Sequence, residues 1–318
     1  MTKKKFFIVF GSLLSLILLI YILNGLDWQA FFQAIRTISL PEVFLGGVII
    51  MINIAIRSLR WNLVAKLGLD KFKSFWQAAN IGYLANIIYP ARTGEVLKVI
   101  AINKFAPLVF GRAVSSAIID RMLDMIIVGI FTLIVIWIHG NRIDPNIGRT
   151  VIAVFILATL VLSLSVIFVD AIKKRVEIWQ FKAKWQQKLH ELFVHGLEGI
   201  QVFRQSKNIL IVLILTMSVF LLDYFWMWKI MGAFGWDLPF EAGLTVGVFL
   251  LLSISIPSAP GFIGVYQMAC VLALGLYGID QTLAVAYSLV LQLITFTIMG
   301  IQGMLVTAYC GFSLSQKD

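Results

Sequence analysis

The chain has 318 residues, of which 60% are hydrophobic and only 13% charged, and its mean hydropathy is +0.93. That is too apolar for a soluble domain, and several uncharged runs reach the ~20 residues needed to cross a bilayer. A net charge of +10 would suggest nucleic acid in a soluble protein. Here the basic residues fall in loops that can share one side of a membrane, so no nucleic-acid partner is expected.

Residues 6–23 form the first predicted span, with Lys3, Lys4 and Lys5 holding its start in the cytoplasm. No small-x-small cleavage site follows, so a retained span is expected rather than a signal peptide. Between Asp27 and Ile38, the residues Trp28, Phe31, Phe32 and Ile35 recur at helical spacing against Gln29, Gln33 and Arg36. That pattern predicts a helix lying in the outer interface. A second span, residues 41–65, runs inward and carries Arg57 and Arg60 on one face of its last turns. Lys66, Lys71 and Lys73 then mark the cytoplasmic side.

Residues 74–89 and 96–109 are apolar but short, and the stretch Pro90-Ala-Arg92-Thr-Gly94-Glu95 lies between them. Pro90 lacks a donor N–H and interrupts the helix, and Gly94 is expected to release it. The economical reading is a re-entrant helical hairpin whose tip lies inside the membrane; two thin crossings are the alternative. Residues 113–138 span outward and contain Asp120-Arg121-Met-Leu-Asp124, with the two acids on one face and Arg121 spaced to pair with Asp124. Residues 150–169 return inward, and the basic stretch 170–207 is expected on the cytoplasmic surface. Residues 208–231 span outward, and Asp223 and Lys229 are read as structural groups near the interface. Residues 240–256 go in, Ile256-Pro-Ser-Ala-Pro-Gly-Phe-Ile-Gly264 breaks the helix, and 265–277 come back out. Residues 281–309 form the last span and leave Lys317 in the cytoplasm.

The expected fold is an all-α polytopic membrane helical bundle of about six full spans plus two broken re-entrant helical hairpins, in a single integral membrane domain over residues 1–318. The two halves, about 1–149 and 150–318, have the same order of elements but start on opposite sides, which makes them inverted repeats. Both breaks share the spacing Pro-x-x-x-Gly, as Pro90 to Gly94 and Pro257 to Gly261. Paired broken segments at corresponding positions are the sequence pointer to a transporter-type site at the midplane.

Four motifs in this order, Arg57-x-x-Arg60, Pro90-x-Arg92-x-Gly94-Glu95, Asp120-Arg121-x-x-Asp124 and Pro257-x-x-Pro260-Gly261-x-x-Gly264, resemble the lysylphosphatidylglycerol synthase transmembrane family. The resemblance covers nearly the whole chain and implies a flippase-like membrane domain. The family's Glu-Arg-x-x-Asp is Asp120-Arg-x-x-Asp124 here, and Lys98 stands where an Arg is common after Gly-Glu. Gln267 stands where a Glu is common after the second break, which removes a strict proton carrier from that position. The soluble aminoacyl-transferase domain of the fused synthases is not expected, and lysyl transfer with it.

Charged groups at membrane depth are functional by default. Arg57, Arg60, Arg92 and Arg121, with Glu95, Asn86 and Gln267, are the candidate substrate-binding residues. Arg suits an anionic headgroup because its planar fork holds phosphate bidentately. A half-helix starting after Gly94 would add free N–H donors. The bland readings stand beside these. Arg92 and Glu95 would staple the hairpin tip, and Arg57 and Arg60 would snorkel to the cytoplasmic surface. Asp120 and Asp124 would form either an internal salt-bridge cluster with Arg121 or a proton-coupling pair. Pro90, Gly94, Pro257, Pro260, Gly261 and Gly264 are assigned to the backbone of the helix breaks. His139, His190 and His195 are expected in loops without metal-ligand spacing, and no cofactor is implied.

The function expected is a lipid transporter or flippase, not an enzyme, in the cytoplasmic membrane with both termini inside. Anionic membrane lipids are the expected partners. The alternative is a non-catalytic lipid-binding subunit that supports an envelope-synthesis enzyme.

Overall fold

The computed structural model describes residues 3–36, 38, 40–89, 93–106, 108–140, 153, 164, 168–179, 186–187, 190–191, 193–194, 197, 209–254 and 258–312; for 3–12, 14 and 177 it describes the backbone alone. The described elements are helical throughout: α1 (Lys3–Asn24), α2 (Trp28–Arg36), α3 (Leu40–Val64), α4 (Phe72–Ile88), α5 (Gly94–Phe105), α6 (Phe110–His139), α7 (Val169–Glu177), α8 (Ile209–Ala233), α9 (Phe240–Ser253), α10 (Val265–Gly275) and α11 (Gln281–Tyr309). Arg92, Pro90 and Pro257 lie outside the described residues, as do Lys317, most of the expected span 150–169 and most of the stretch 170–207.

Of these helices, α3, α6, α8 and α11 are long and apolar enough to cross a bilayer. The later half of α1 and α2 pass the same test jointly across a 97° bend, so the described residues supply four spans, or up to five. Local chemistry fixes the bend. Asp27 Oδ1 accepts from the N–H groups of Gln29 (2.9 Å) and Ala30 (3.1 Å), an N-cap that restarts the helix in a new direction. Phe31 and Ala34 of α2 are buried against the bundle while Trp28 and Phe32 face outward, as its amphipathic pattern requires. Asp280 starts α11 the same way, accepting from Thr282 and Leu283 N–H.

Helices α4 and α5 run antiparallel. Ser74 Oγ donates to Phe105 O (3.2 Å) at one end, and Gly94 N donates to Asn86 Oδ1 (2.8 Å) at the other. With 17 and 12 residues, they measure about 26 and 18 Å, each short of the ~30 Å hydrocarbon core, and together they form an antiparallel helical hairpin. Helices α9 and α10, with 14 and 11 residues, form a second hairpin whose turn is the 3₁₀ segment Pro260–Phe262.

Between the hairpins, α3 crosses α8 antiparallel. A Cβ on Gly46 would strike the Trp226 ring, and seven residues along, Asn53 Nδ2 donates to Val219 O (2.8 Å). Helix α4 packs on α11, where the missing side chain of Gly303 admits Leu84 and the Asn80 carbonyl. Helix α9 packs likewise on α6, with Leu244 and Val248 against Ile127, Phe131 and Val135. Small residues where helices touch are what association in lipid demands, since lipid tails leave little hydrophobic drive between helices.

Candidate functional site

Helices α3, α5, α6 and α8 each place ionisable side chains in one interior cluster. Arg60 is fully buried, and its guanidinium lies 2.7 Å from both Asp120 Oδ1 and Asp124 Oδ1. The two acids are four apart on α6, so one arginine fork from α3 spans both. Arg57, one turn earlier, turns the other way. It donates to Asp223 Oδ2 (2.8 Å) and Asn53 Oδ1 (2.7 Å), and Asn53 in turn donates to Asp223 Oδ1 (2.9 Å). The snorkelling expected of Arg57 and Arg60 does not occur: acids on α6 and α8 hold both heads inside.

On the α5 side the contacts are longer. Lys98 Nζ is 3.3 Å from Asp120 Oδ2 and 3.3 Å from Glu95 Oε2, and it lies 4.7 Å from the centre of the Trp61 ring. Arg121 reaches Asp124 at 3.2 Å, Asp120 at 3.3 Å and Glu95 at 3.5 Å. Lys98, which stands where an Arg is common in the family's motif, is thus buried within the cluster. Arg57, Arg60, Lys98 and Arg121 stand against Glu95, Asp120, Asp124 and Asp223, so the described cluster has four charges of each sign and is neutral.

A crevice opens onto this cluster, lined by Arg57, Tyr83, Asn86, Glu95, Lys98 and Asp120 among others. It has about 10 Å³ of room for solvent centres, about one water molecule. No headgroup fits it in this conformation.

The local backbone differs from expectation in two respects. The start of α5 offers fewer free donors than a bare helix end: Gly94 N–H is taken by Asn86, and Val96 and Leu97 N–H by Thr93 O. Gly94 is also glycine for closeness and not for conformation. Its φ is not positive, and a Cβ there would overlap Gly82 O and the Asn86 amide.

The second break makes different contacts. Gly261 and Gly264 adopt φ of +70° and +85°, and Phe262 between them +57°. Gln267 Oε1 accepts from Gly264 N (2.7 Å), and Gln267 Nε2 donates to Gln292 Oε1 (2.7 Å). Gln292 Nε2 then donates to Gly261 O (2.6 Å). Ala259 N donates to Ser15 Oγ of α1 (3.0 Å), and the 3₁₀ turn that begins at Pro260 also touches α4. Gln267 therefore spends its amide oxygen on its own break and its amide nitrogen on Gln292 of α11. Asn86 likewise spends its oxygen across the first break.

Asp223 corrects the sequence reading most. It was expected near the interface, yet it pairs with Arg57 inside the bundle. Its signal was visible as the lone acid in the apolar run of α8. Asn53 had no such signal, and only the crossing of α3 on α8 reveals it. Lys229 is seated over the Phe225 and Trp228 rings at 5.7 and 4.8 Å. His139 is not in a loop: it ends α6, buried, with Nε2 3.0 Å from Tyr277 OH and 3.3 Å from Thr245 Oγ1. His190 lies in a helical turn with Nε2 2.7 Å from Val176 O, and His195 lies outside the described residues.

The model of the lysylphosphatidylglycerol synthase transmembrane region matches residues 8–303. The chain belongs to that family. Three family motifs, around Arg57 and Arg60, Glu95, and Asp120 to Asp124, converge on the charged cluster. The chain is also similar to UPF0104 membrane proteins of two archaea. One from Methanocaldococcus jannaschii is 23% identical, with 96% of this chain and 95% of the relative covered. Two from Methanothermobacter thermautotrophicus are each 22% identical, one over 90% of both chains and the other over 97% of this chain and 94% of its own. No solved structure matches. As a member of this transmembrane family, the chain is a polytopic integral membrane protein.

Proposed function

We propose that the protein is a lipid transporter of the cytoplasmic membrane that moves an anionic phospholipid or lipid-linked phosphate between leaflets through a midplane site between the two hairpins. The neutral cluster of eight charges facing a crevice carries this reading. A bundle that needed only stability would not hold so many ionisable groups at membrane depth. Arg57, Lys98 and Arg121 line or border the crevice and would receive the headgroup, together with Arg92 from the hairpin tip. Arg60, Asp120 and Asp124 hold one another and would frame it.

The packing supports reading the two halves as inverted repeats. Helix α3 packs on α8, and several contacts come in exchangeable pairs: α4 on α11 with α9 on α6, α5 on α6 with α10 on α11, and α3 on α11 with α8 on α6, whereas α1 on α10 and α2 on α11 have no mate among the described elements. Such a pair of halves could open the crevice to either side by rocking one against the other. The excess of basic residues in the loops supports a cytoplasmic position for both termini.

The narrowness of the crevice favours a second reading, a lipid-binding subunit that serves an envelope-synthesis enzyme without transporting. Reconstitution separates the two. Purified protein in liposomes should move a fluorescent anionic phospholipid to the outer leaflet, and Arg121→Gln or Arg92→Gln should stop it while the protein still elutes as a folded species. Equal translocation by the wild type and both variants would overturn the site. No translocation by the wild type, with a partner enzyme co-purifying, would leave the subunit.

A further inference from the structure

We propose that Glu95 is not a substrate ligand but the substrate's built-in competitor, a carboxylate that occupies the anion position between Lys98 and Arg121 until a phosphate group displaces it. The inference deepens the transport reading above and rests on its assignment of the crevice as the anion site.

Three observations meet on Glu95. First, the cluster contains two kinds of contact. Arg60 holds Asp120 and Asp124 at 2.7 Å, and Arg57 holds Asp223 at 2.8 Å, the distances of charge-assisted hydrogen bonds. Glu95 is held only at 3.3 Å by Lys98 and 3.5 Å by Arg121, and its buried Oε2 has no directed hydrogen bond among the described residues. Arg121 is slack as well, since its buried Nε has no partner there either. The Glu95 and Arg121 side chains are about a third exposed (31% and 32%), against 3% for Asp120 and 12% for Asp124. Glu95 is thus the loosely held acid of the crevice wall, beside the tightly held Arg57 and Asp120, with Arg121 in contact behind it.

Second, space demands an exchange. The crevice admits about one water, so a phosphate enters only if a lining group leaves. Glu95 lies in the first turn of α5, beside the break, and of the acids it has the weakest hold; its side chain is as exposed as that of Asp223, which Arg57 holds at 2.8 Å. Swinging out, it vacates the place of two oxygens already faced by two cations.

Third, charge demands the same exchange. The described cluster is neutral with Glu95 in place, so a bound phosphate without a departing anion would leave an uncompensated negative charge inside the bundle. Replacing the carboxylate by one phosphodiester keeps the sum at zero. The exchange also keeps Lys98 and Arg121 paired at every stage, so the empty site has no need to bury bare cations.

The test is the affinity of purified protein in detergent for dihexanoyl phosphatidylglycerol and for inorganic phosphate, read by titration calorimetry. If the displaced state is about a tenth of the empty protein, Glu95→Gln should bind the lipid about tenfold tighter than the wild type. The gain should vanish in Glu95→Gln/Arg121→Gln, which a mere change in stability would not predict. A gain for inorganic phosphate as well as lipid identifies the phosphate group itself as the exchanging anion. A gain for lipid alone adds a requirement for the rest of the lipid and still supports exchange. Unchanged or weaker binding by Glu95→Gln overturns the proposal, as does a gain that survives the loss of Arg121. Should Glu95→Gln fail to fold, Glu95→Asp retracts the carboxylate by one methylene and must shift affinity the same way by a smaller factor; no shift overturns it. Translocation by the wild type without any gain in the variants sinks the exchange alone. Tighter binding in the variant with no translocation by the wild type sinks the transport reading alone.

Discussion

The two hairpins are similar in length and share the spacing Pro-x-x-x-Gly, yet they solve the problem of a broken helix in opposite ways. The first keeps its backbone ordinary where it is described and brings its helices into contact. Gly82 and Gly94 let α4 and α5 touch, Asn86 closes the gap, and charges from α3 and α6 gather on the outer face of α5. The second bends its backbone into the left-handed region at Gly261, Phe262 and Gly264, and ties the resulting loop with two glutamines and Ser15. One break is built around charge and the other around amides. In hydrocarbon both must satisfy their backbone groups from protein, because no water is at hand. Only the first also leaves cations facing a crevice. The contrast supports the proposal that ligand chemistry lies on the first hairpin, while the second is anchored through its backbone.

The sharpest way to break this contrast is to remove the charge that frames the first hairpin. Arg60→Ala leaves Asp120 and Asp124 buried without their closest partner and should cost about 3–5 kcal/mol, which thermal unfolding in detergent or loss of the folded peak on gel filtration would report. A fall of less than about 1 kcal/mol would mean that Lys98 and Arg121 take over and that the frame is not Arg60.

The glycines give a crossed test of the next size. Gly94→Ala should cost about 1–3 kcal/mol through overlap with Gly82 O. Gly261→Ala should cost about 1–2 kcal/mol through its positive φ. Asparagine separates the mechanisms, because it tolerates the left-handed region but carries a Cβ. Gly261→Asn should be nearly neutral and Gly94→Asn at least as damaging as alanine. Equal effects of asparagine at both sites would erase the distinction between close approach and conformation.

The smallest effect belongs to the amides. Gln292→Leu leaves the Gly261 carbonyl and the Gln267 amide without their partner and should lower stability by about 1–2 kcal/mol in the same melts, with translocation retained. Loss of translocation at unchanged stability would move the second hairpin into the ligand site.

Much of this molecule is readable from hydropathy. The spans α3, α6, α8 and α11, the amphipathic α2 and both hairpins fall close to where apolar runs and helix breakers place them, since backbone groups in lipid leave helices as the only economical choice. The candidate site is readable in part. Arg57, Arg60, Glu95, Asp120, Arg121 and Asp124 stand out as charges in apolar segments and do come together. Asp223 stands out equally but reads as an interfacial group, because a lone acid carries no mark of its partner. Gly94 and Gly261 look alike in sequence, because an overlap with Gly82 on another helix and a positive φ leave the same letter.

The sequence by itself determined the class, the helices, the positions of the breaks and the family. Those follow from local properties: hydropathy over a span, the missing N–H of proline, and motifs in order. The tertiary structure decided which charges pair. Arg60 and Asp120 are 60 residues apart and Arg57 and Asp223 166, and each pair is made by two helices crossing. In a low dielectric the interaction of two charges turns on ångström distances. Those distances make Asp120 and Asp124 part of the frame and leave Glu95 free enough to be exchanged.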